Sequence, residues 1–193
     1  MGSGSVSMVI KVGGGLLAHA ACFDSVLEQI ASASREAALL IVPGGGPFAD
    51  TVRDLDRRVG LSDDAAHWMA ILAMDQYAHL IASRLPGGEV VCRLDEIALA
   101  LKRRRTPVLA PYQWMRDADP LPHSWDVTSD SISAWVAGQV EAARLVLVKP
   151  PGASGPDIVD PCFKSVLAPH IEAVTVTADR IDQLRRAIAA PAT

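Results

Sequence analysis

The sequence is poor in aromatic residues, carries little net charge and has no long apolar run. Aromatic side chains make up 5% of the 193 residues, so surfaces on which nucleic-acid bases stack are not expected. The formal net charge is −4, which also argues against a nucleic-acid partner. No apolar run approaches the ~20 residues of a membrane span, so we expect no membrane partner either.

Cysteine is scarce as well. The three cysteines, Cys22, Cys92 and Cys162, are odd in number and far apart, which argues against a disulfide framework and against a cysteine zinc site. The opening residues also lack the pattern of a secretory signal. We therefore predict a reducing, cytoplasmic location. Residues 1–7 are interpreted as a disordered leader or tag remnant, and residues 8–193 as a single domain.

Short β-branched runs alternate with helical patterns along the chain. Residues 39–42 and 145–148 are apolar without alternation, as are residues 8–12 apart from Lys11. Such runs are typical of strands buried on both faces. Helical patterns of about 10–20 residues separate such runs, as in the crossover connections of a parallel sheet. Residues 112–127 are predicted to be irregular. The sequence therefore predicts an α/β fold with a mostly parallel sheet.

Two glycine-rich turns follow the first two predicted strands. They are Gly13, Gly14 and Gly15, and Gly44, Gly45 and Gly46. Such turns bring backbone N–H groups against an anion, and ligands of parallel sheets bind at the carboxyl ends of the strands. We predict phosphate binding here, although two ordinary tight turns remain an alternative.

Two familiar nucleotide motifs do not fit these turns. A dinucleotide fingerprint needs an acid near the end of the second strand, and residues 41–43 read Ile-Val-Pro. A Walker P-loop needs a lysine after its glycines, whereas Lys11 precedes them. A dehydrogenase and a P-loop enzyme are therefore both disfavoured.

Charged side chains occupy two predicted strand ends and one predicted helix start. Of only four lysines, Lys11 and Lys149 lie in or just past buried strands, and Asp130 opens a predicted helix. Strand-end cations beside glycine turns and a carboxylate suit phosphoryl transfer, which needs positioning and charge stabilisation. An ordinary first-turn acid at Asp130 and an ordinary loop histidine at His123 remain alternatives.

Taken together, these residues resemble the amino acid kinase family in order and spacing. The resemblance rests on residues 10–14 (Ile-Lys-Val-Gly-Gly), 43–46 (Pro-Gly-Gly-Gly) and 126–130 (Asp-Val-Thr-Ser-Asp). It implies a three-layer αβα sandwich. It also implies that Lys11 bridges the donor and acceptor phosphoryl groups and that Gly13 and Gly14 contact the transferring phosphate. Asp130 would organise the catalytic lysines.

The donor that the resemblance implies is MgATP, with the nucleoside near residues 149–156. Nucleotide-binding roles would then fall to Lys149, Pro151 and Gly152. The family's second lysine motif is not recognisable, and either Lys149 or Lys164 would replace it. No residue is assigned as a metal ligand.

A short branch of the family, from methanofuran or methylofuran biosynthesis, is similar at residues 67–76 and 123–131. Its acceptor is an aminomethylfuran-methanol phosphate, which becomes a diphosphate, and Asp126 or Asp75 would bind the ammonium group. Other acceptors of the family, or a non-catalytic nucleotide or oxyanion binder, remain alternatives. A homo-oligomer is expected. The implied acceptor-binding residues are Gly44, Gly45, Gly46, His123, Trp125 and Asp126.

Overall fold

A computed structural model describes residues 5–155 and 158–189, and in this part of the chain six strands form one parallel sheet. The strands are β1 Met8–Val12, β2 Leu39–Pro43, β3 Gly88–Val91, β4 Thr106–Leu109, β5 Arg144–Lys149 and β6 Glu172–Thr177. The helices are α1 Ala20–Ala33, α2 Gly46–Val59, α3 Asp63–Arg84, α4 Leu94–Lys102, α5 Tyr112–Ala118, α6 Ser129–Gln139, α7 Phe163–Val166 and α8 Ile181–Ala189. A 3₁₀ helix, Gly14–Ala18, precedes α1.

Both faces of the sheet are covered by helices. Successive strand side chains point to opposite faces, so Val9 packs in one apolar cluster with α6, whereas Ile10 packs in another with α1 and α8. The helix α3 contributes to both clusters, through Ile71 in its first half and Ile81 near its end. The predicted three-layer αβα sandwich is confirmed, and the sheet is parallel throughout.

The strand order determines where a ligand site forms. The order is β3-β4-β2-β1-β5-β6, so β1 lies between β2 and β5. Val12 at the end of β1 pairs with Pro43 on one side and with Val148 on the other. The carboxyl ends of these three strands therefore lie side by side, and each leads into a segment that the sequence analysis singled out.

Two segments differ from the sequence-based expectation. The predicted irregular segment 112–127 begins with the helix α5, whose Met115 is fully buried. Of the predicted leader, residues 1–4 lie outside the described residues, Val6 is buried in the core, and the Ser7 N–H donates to the Ala38 carbonyl at 2.8 Å. The packed chain thus begins before Met8.

Among the described residues, none of the helices has the length and apolar character to cross a membrane.

The two glycine turns pack directly on each other. A Cβ atom on Gly14 would lie 2.0 Å from the backbone nitrogen of Gly46, and one on Gly44 would lie 2.5 Å from the nitrogen of Gly14. Gly46 also has φ +57°, a conformation that residues with a Cβ adopt rarely. Glycine is required here because backbone meets backbone.

We expect Gly14→Ala to lower the free energy of unfolding by about 1–3 kcal/mol, because the new methyl group cannot be accommodated without moving one of the two glycine turns. Gly138→Ala is the matched control, since a Cβ atom there meets nothing within 4 Å and lies in a helix. That variant should be neutral or more stable by up to about 1 kcal/mol. Chemical denaturation of both variants tests the contact, and equal stabilities would contradict it.

Candidate active site

A buried carboxylate lies between two buried ammonium groups at the carboxyl end of the sheet. Asp130 Oδ1 is 2.8 Å from Lys11 Nζ, and Asp130 Oδ2 accepts a hydrogen bond from Lys149 Nζ at 2.5 Å. All three side chains are at most 10% exposed. Lys11 comes from β1, Lys149 ends β5, and Asp130 lies in the first turn of α6. The structure therefore brings together the three charged residues that the sequence analysis singled out.

The pKa values of Asp130 and Lys149 are both shifted in this cluster. Burial alone would raise the pKa of Asp130, but the adjacent ammonium groups outweigh it and hold the pKa below its usual value. Burial, and then repulsion from Lys11, lower the pKa of Lys149, against the opposing attraction of Asp130. The carboxylate is thus fixed in its charged form, whereas the ammonium group of Lys149 is easier to deprotonate than a free lysine.

A second acid, Asp160, anchors the start of α6. Its Oδ2 accepts hydrogen bonds from the N–H and hydroxyl groups of Thr128, at 2.9 and 2.7 Å, and from the Ser131 N–H at 2.9 Å. Its Oδ1 accepts from the Ser131 hydroxyl. These bonds fix the helical turn that carries Asp130. Sequence analysis missed Asp160 because it lies about thirty residues further along the chain, in a segment without a motif.

We expect Asp160→Asn to destabilise the protein by about 1–3 kcal/mol, because one carboxylate oxygen is replaced by an amide that cannot accept from the Ser131 and Thr128 donors. Denaturant unfolding measures this loss. Asp126→Asn, an exposed acid in the preceding loop, is the control and should stay within about 0.5 kcal/mol of the parent. Equal effects of the two changes would show that the anchor contributes little.

A cavity of about 350 Å³ opens beside the lysine pair. Five of the six predicted glycines line it: Gly13, Gly14, Gly15, Gly45 and Gly46. Gly44 packs beneath the first turn, and its N–H donates to the Val12 carbonyl at 2.8 Å. The Gly13 N–H likewise donates to the Val148 carbonyl. The first N–H groups of a helix have no partner within it, so the N–H groups of Gly14 and Gly15, and that of Gly46 at the start of α2, are available to an anion.

The other end of the cavity is formed by α2, α3 and the loop before α6. Asp50, Arg53, Asp63, His67 and Trp125 line it. Two contacts fix the Trp125 side chain. Its Nε1 donates to Asp56 Oδ2 at 2.8 Å, and the guanidinium group of Arg53 lies 4.8 Å from its ring centroid. Trp125 therefore forms a fixed aromatic wall.

Several predicted site residues do not line this cavity. Asp126 is exposed, and Pro151 and Gly152 belong to a surface loop whose residues 156–157 lie outside the described part of the chain. Asp75 accepts from the Tyr112 N–H at 3.0 Å, and burial raises the pKa of this carboxyl to about 6. Lys164 is exposed on α7.

His123 lies behind the cavity wall. Its Nδ1 is 3.1 Å from Asp64 Oδ1, its Nε2 is 2.9 Å from Asp119 Oδ1, and its ring stacks on His67. The residue that reaches the cavity is His67, which the sequence analysis did not select. Its signal was the spacing of cavity residues along α3: Asp63, His67, Ile71 and Met74 share one helix face. The described residues contain no group of three or more His, Cys, Asp or Glu side chains arranged for a metal ion.

Comparisons with known proteins bear on the family and the fold of this chain. The sequence model of the amino acid kinase family matches residues 7–150. A [5-(aminomethyl)furan-3-yl]methyl phosphate kinase from Methanocaldococcus jannaschii is 26% identical over 139 residues. That match covers 72% of this chain and 63% of the relative, so the chain spans less than two thirds of the relative's length.

Solved kinase structures share the fold at low sequence identity. The uridylate kinase of Archaeoglobus fulgidus superposes with a TM-score of 0.67 at 16% identity, covering 97% of both chains. The UMP kinase of Bacillus anthracis gives a TM-score of 0.69 at 16% identity, covering 94% of this chain and 91% of its own. These similarities establish the fold.

Proposed function

Because this chain belongs to the amino acid kinase family, we propose that it transfers the terminal phosphoryl group of MgATP to a small acceptor that itself carries a phosphate. The observation that carries the proposal is the Lys11–Asp130–Lys149 cluster, buried beside two glycine turns. Fixed cations and backbone N–H groups stabilise charge that develops on a transferring phosphoryl group, and a closed site strengthens this effect.

The protonation of the cluster suits an acceptor that needs no base. In the proposed reaction, an oxygen of the acceptor phosphate attacks the γ-phosphorus, the bond from that phosphorus to the β–γ bridging oxygen breaks, and ADP leaves with the electron pair. A phosphate oxygen is already anionic, so no proton has to be removed. Asp130 is poorly suited to remove one, because both its oxygens face ammonium groups and its pKa is lowered. An alcohol acceptor would need a base.

Magnesium fits the site as a companion of the nucleotide. Mg²⁺ commonly keeps several waters and binds through substrate phosphates and one or two carboxylates. At the lysine end of the cavity, the carboxylate is Asp130, and it is engaged by Lys11 and Lys149. We therefore propose that the ion is held mainly by the phosphates, where it would neutralise charge between donor and acceptor, while the glycine turns and lysines orient them.

Lys149 supplies the second cation in this proposal. The sequence left open whether Lys149 or Lys164 replaces the family's second lysine. Lys149 contacts Asp130 and lines the cavity, whereas Lys164 is exposed on α7 outside the cavity lining. The geometry therefore favours Lys149.

For the acceptor we propose [5-(aminomethyl)furan-3-yl]methyl phosphate, which would become the corresponding diphosphate. The name of the Methanocaldococcus jannaschii relative supports this choice. A phosphate-bearing acceptor also agrees with a site whose buried carboxylate, Asp130, is poorly suited to act as a base. Self-association and a cytoplasmic location stay predictions from the sequence.

A product assay by phosphorus NMR tests the proposal. With MgATP, we expect a new diphosphate signal with the aminomethylfuran phosphate and none with UMP, isopentenyl phosphate or acetylglutamate. A diphosphate formed from UMP or isopentenyl phosphate, or an acyl phosphate formed from acetylglutamate, would change the acceptor. Nucleotide binding without transfer to any of the four would overturn the kinase assignment in favour of a binding protein.

Removal of the Lys11 charge should nearly abolish that signal. Lys11→Met keeps the length and most of the volume of the side chain, so we expect kcat to fall roughly 100–1,000-fold, the usual effect of removing one stabilising group. Lys164→Met removes a lysine outside the cavity and should retain parental turnover. Similar rates for the two variants, with both folded by circular dichroism, would exclude Lys11 from the chemistry.

The lowered pKa of Lys149 predicts the direction of the alkaline pH profile. The charged form stabilises the reaction, so kcat should decline as pH rises through a pKa below the ordinary 10.5. Lys149→Arg should move this decline to higher pH, because a guanidinium group stays charged up to a pKa above about 12. Lys164→Arg should leave the decline where it is. An unchanged profile in Lys149→Arg would assign the decline to another group.

A further inference from the structure

His67 is a buried side chain whose hydrogen-bonding capacity the fold does not use. The residue is 6% exposed, and its ring lines the cavity. Its ring packs against the aromatic rings of Trp68 and His123, and among the described residues it forms no hydrogen bond or ion pair. Neither ring nitrogen is fully sealed from solvent, and the residue lines the cavity. Buried polar groups normally have partners, so this one points to a ligand.

The ring of His67 is held in place and kept uncharged. It stacks on His123 with ring centroids 4.2 Å apart and 18° between the planes, and Trp68 meets it edge-on at 4.9 Å. Both nitrogens of His123 face carboxylate oxygens, of Asp64 and Asp119, so His123 is fixed in turn. Burial, and then the adjacent His123, lower the pKa of His67 to about 4. At neutral pH it presents one N–H donor and one lone pair.

The charges around this ring favour a cation. Asp63 lies one helical turn before His67 on the same face of α3, and Asp50 lines the cavity from α2. Arg53 lines the cavity too, lies over Trp125 and forms an ion pair with Asp50, so the charges of these two residues offset each other. Among the described residues, Asp63 is the acid of the cavity lining at this end that has no ion-pair partner. Asp64 and Asp119 stand behind His123, and the guanidinium group of Arg116 lies over the outer ring of Trp68.

The cavity is therefore polarised along its length. Its lysine end, with the backbone N–H groups of the glycine turns, suits phosphate. Its α3 end, with acidic side chains and a neutral imidazole, suits a positive group that can donate hydrogen bonds. The space beside His67 is left open by the small side chains of Ala66 and Ala70, which line the same face.

We propose that His67, with Asp63, recognises a protonated primary amine on the acceptor, at the end remote from its phosphate. The His67 lone pair would accept a hydrogen bond from the ammonium group, and the Asp63 carboxylate would balance its charge. This inference rests on the proposed function, because it takes the phosphate-bearing acceptor as its substrate. It transfers amine recognition to α3 from Asp126 and Asp75, neither of which lines the cavity.

Paired ligands separate this inference from the proposed function. Calorimetric binding of [5-(aminomethyl)furan-3-yl]methyl phosphate is compared with that of its analogue, in which a methyl group replaces the aminomethyl group. We expect the parental protein to bind the amine roughly 10–100-fold more tightly, as for one hydrogen bond to a charged group. His67→Ala should lose most of this preference while binding the analogue as the parent does, and His67→Gln should restore part of it.

His79→Ala is the matched control, because His79 is an exposed histidine of the same helix and does not line the cavity. It should keep the full preference. Equal binding of the two ligands by the parental protein, or no binding of either, overturns the inference. A preference that survives in His67→Ala also overturns it, with unfolding excluded by the retained affinity for the analogue. Amine-selective binding through His67 without phosphoryl transfer supports the inference and overturns the kinase proposal.

Discussion

Two ammonium groups held close together repel each other, and their removal from water makes that repulsion more costly. Lys11 and Lys149 are kept in this position by Asp130, which contacts one ammonium group with each oxygen. The carboxylate can do this only if the start of α6 stays fixed, and Asp160 fixes it through the Thr128 and Ser131 donors. Two ammonium groups are thus held beside the glycine turns, and both oxygens of the Asp130 carboxylate are used to hold them.

The geometry of a parallel sheet explains how both lysines reach one carboxylate. Lys11 pairs with Leu147 in the register of β1 and β5, so Lys149 is two residues further along the neighbouring strand. Side chains two residues apart point to the same face, and this is the face on which α6 packs through Ile132. The lysine at the end of β5 therefore contacts Asp130 directly, and the second cation of the site comes from the sheet itself.

Sequence analysis was most successful for site residues that directly adjoin a predicted strand. Lys11 and the glycine turns follow strands that their apolar runs identify, and parallel pairing brings their ends together. The roles of Asp160 and His67 depend instead on tertiary packing. Asp160 reaches the start of α6 because the loop after β5 returns to it, and His67 reaches the cavity because its face of α3 borders that cavity. His123 was selected from its neighbours in the sequence, yet its ring is held by Asp64 and Asp119 behind the wall. The helix α5 was missed because its three-dimensional anchor, Met115, carries no periodic pattern in so short a segment.

The charges at the two ends of the cavity restrict which acceptors the proposed site would take. A molecule with phosphate at both ends would place one anion beside Asp63, where like charge opposes it. A molecule with an ammonium group at the lysine end would meet two buried cations. An acceptor that carries phosphate and amine at opposite ends satisfies both regions in one orientation only. In the proposed complex, that orientation would direct the acceptor phosphate towards Lys11 and the glycine turns, so recognition of the remote amine would also align the reacting oxygen.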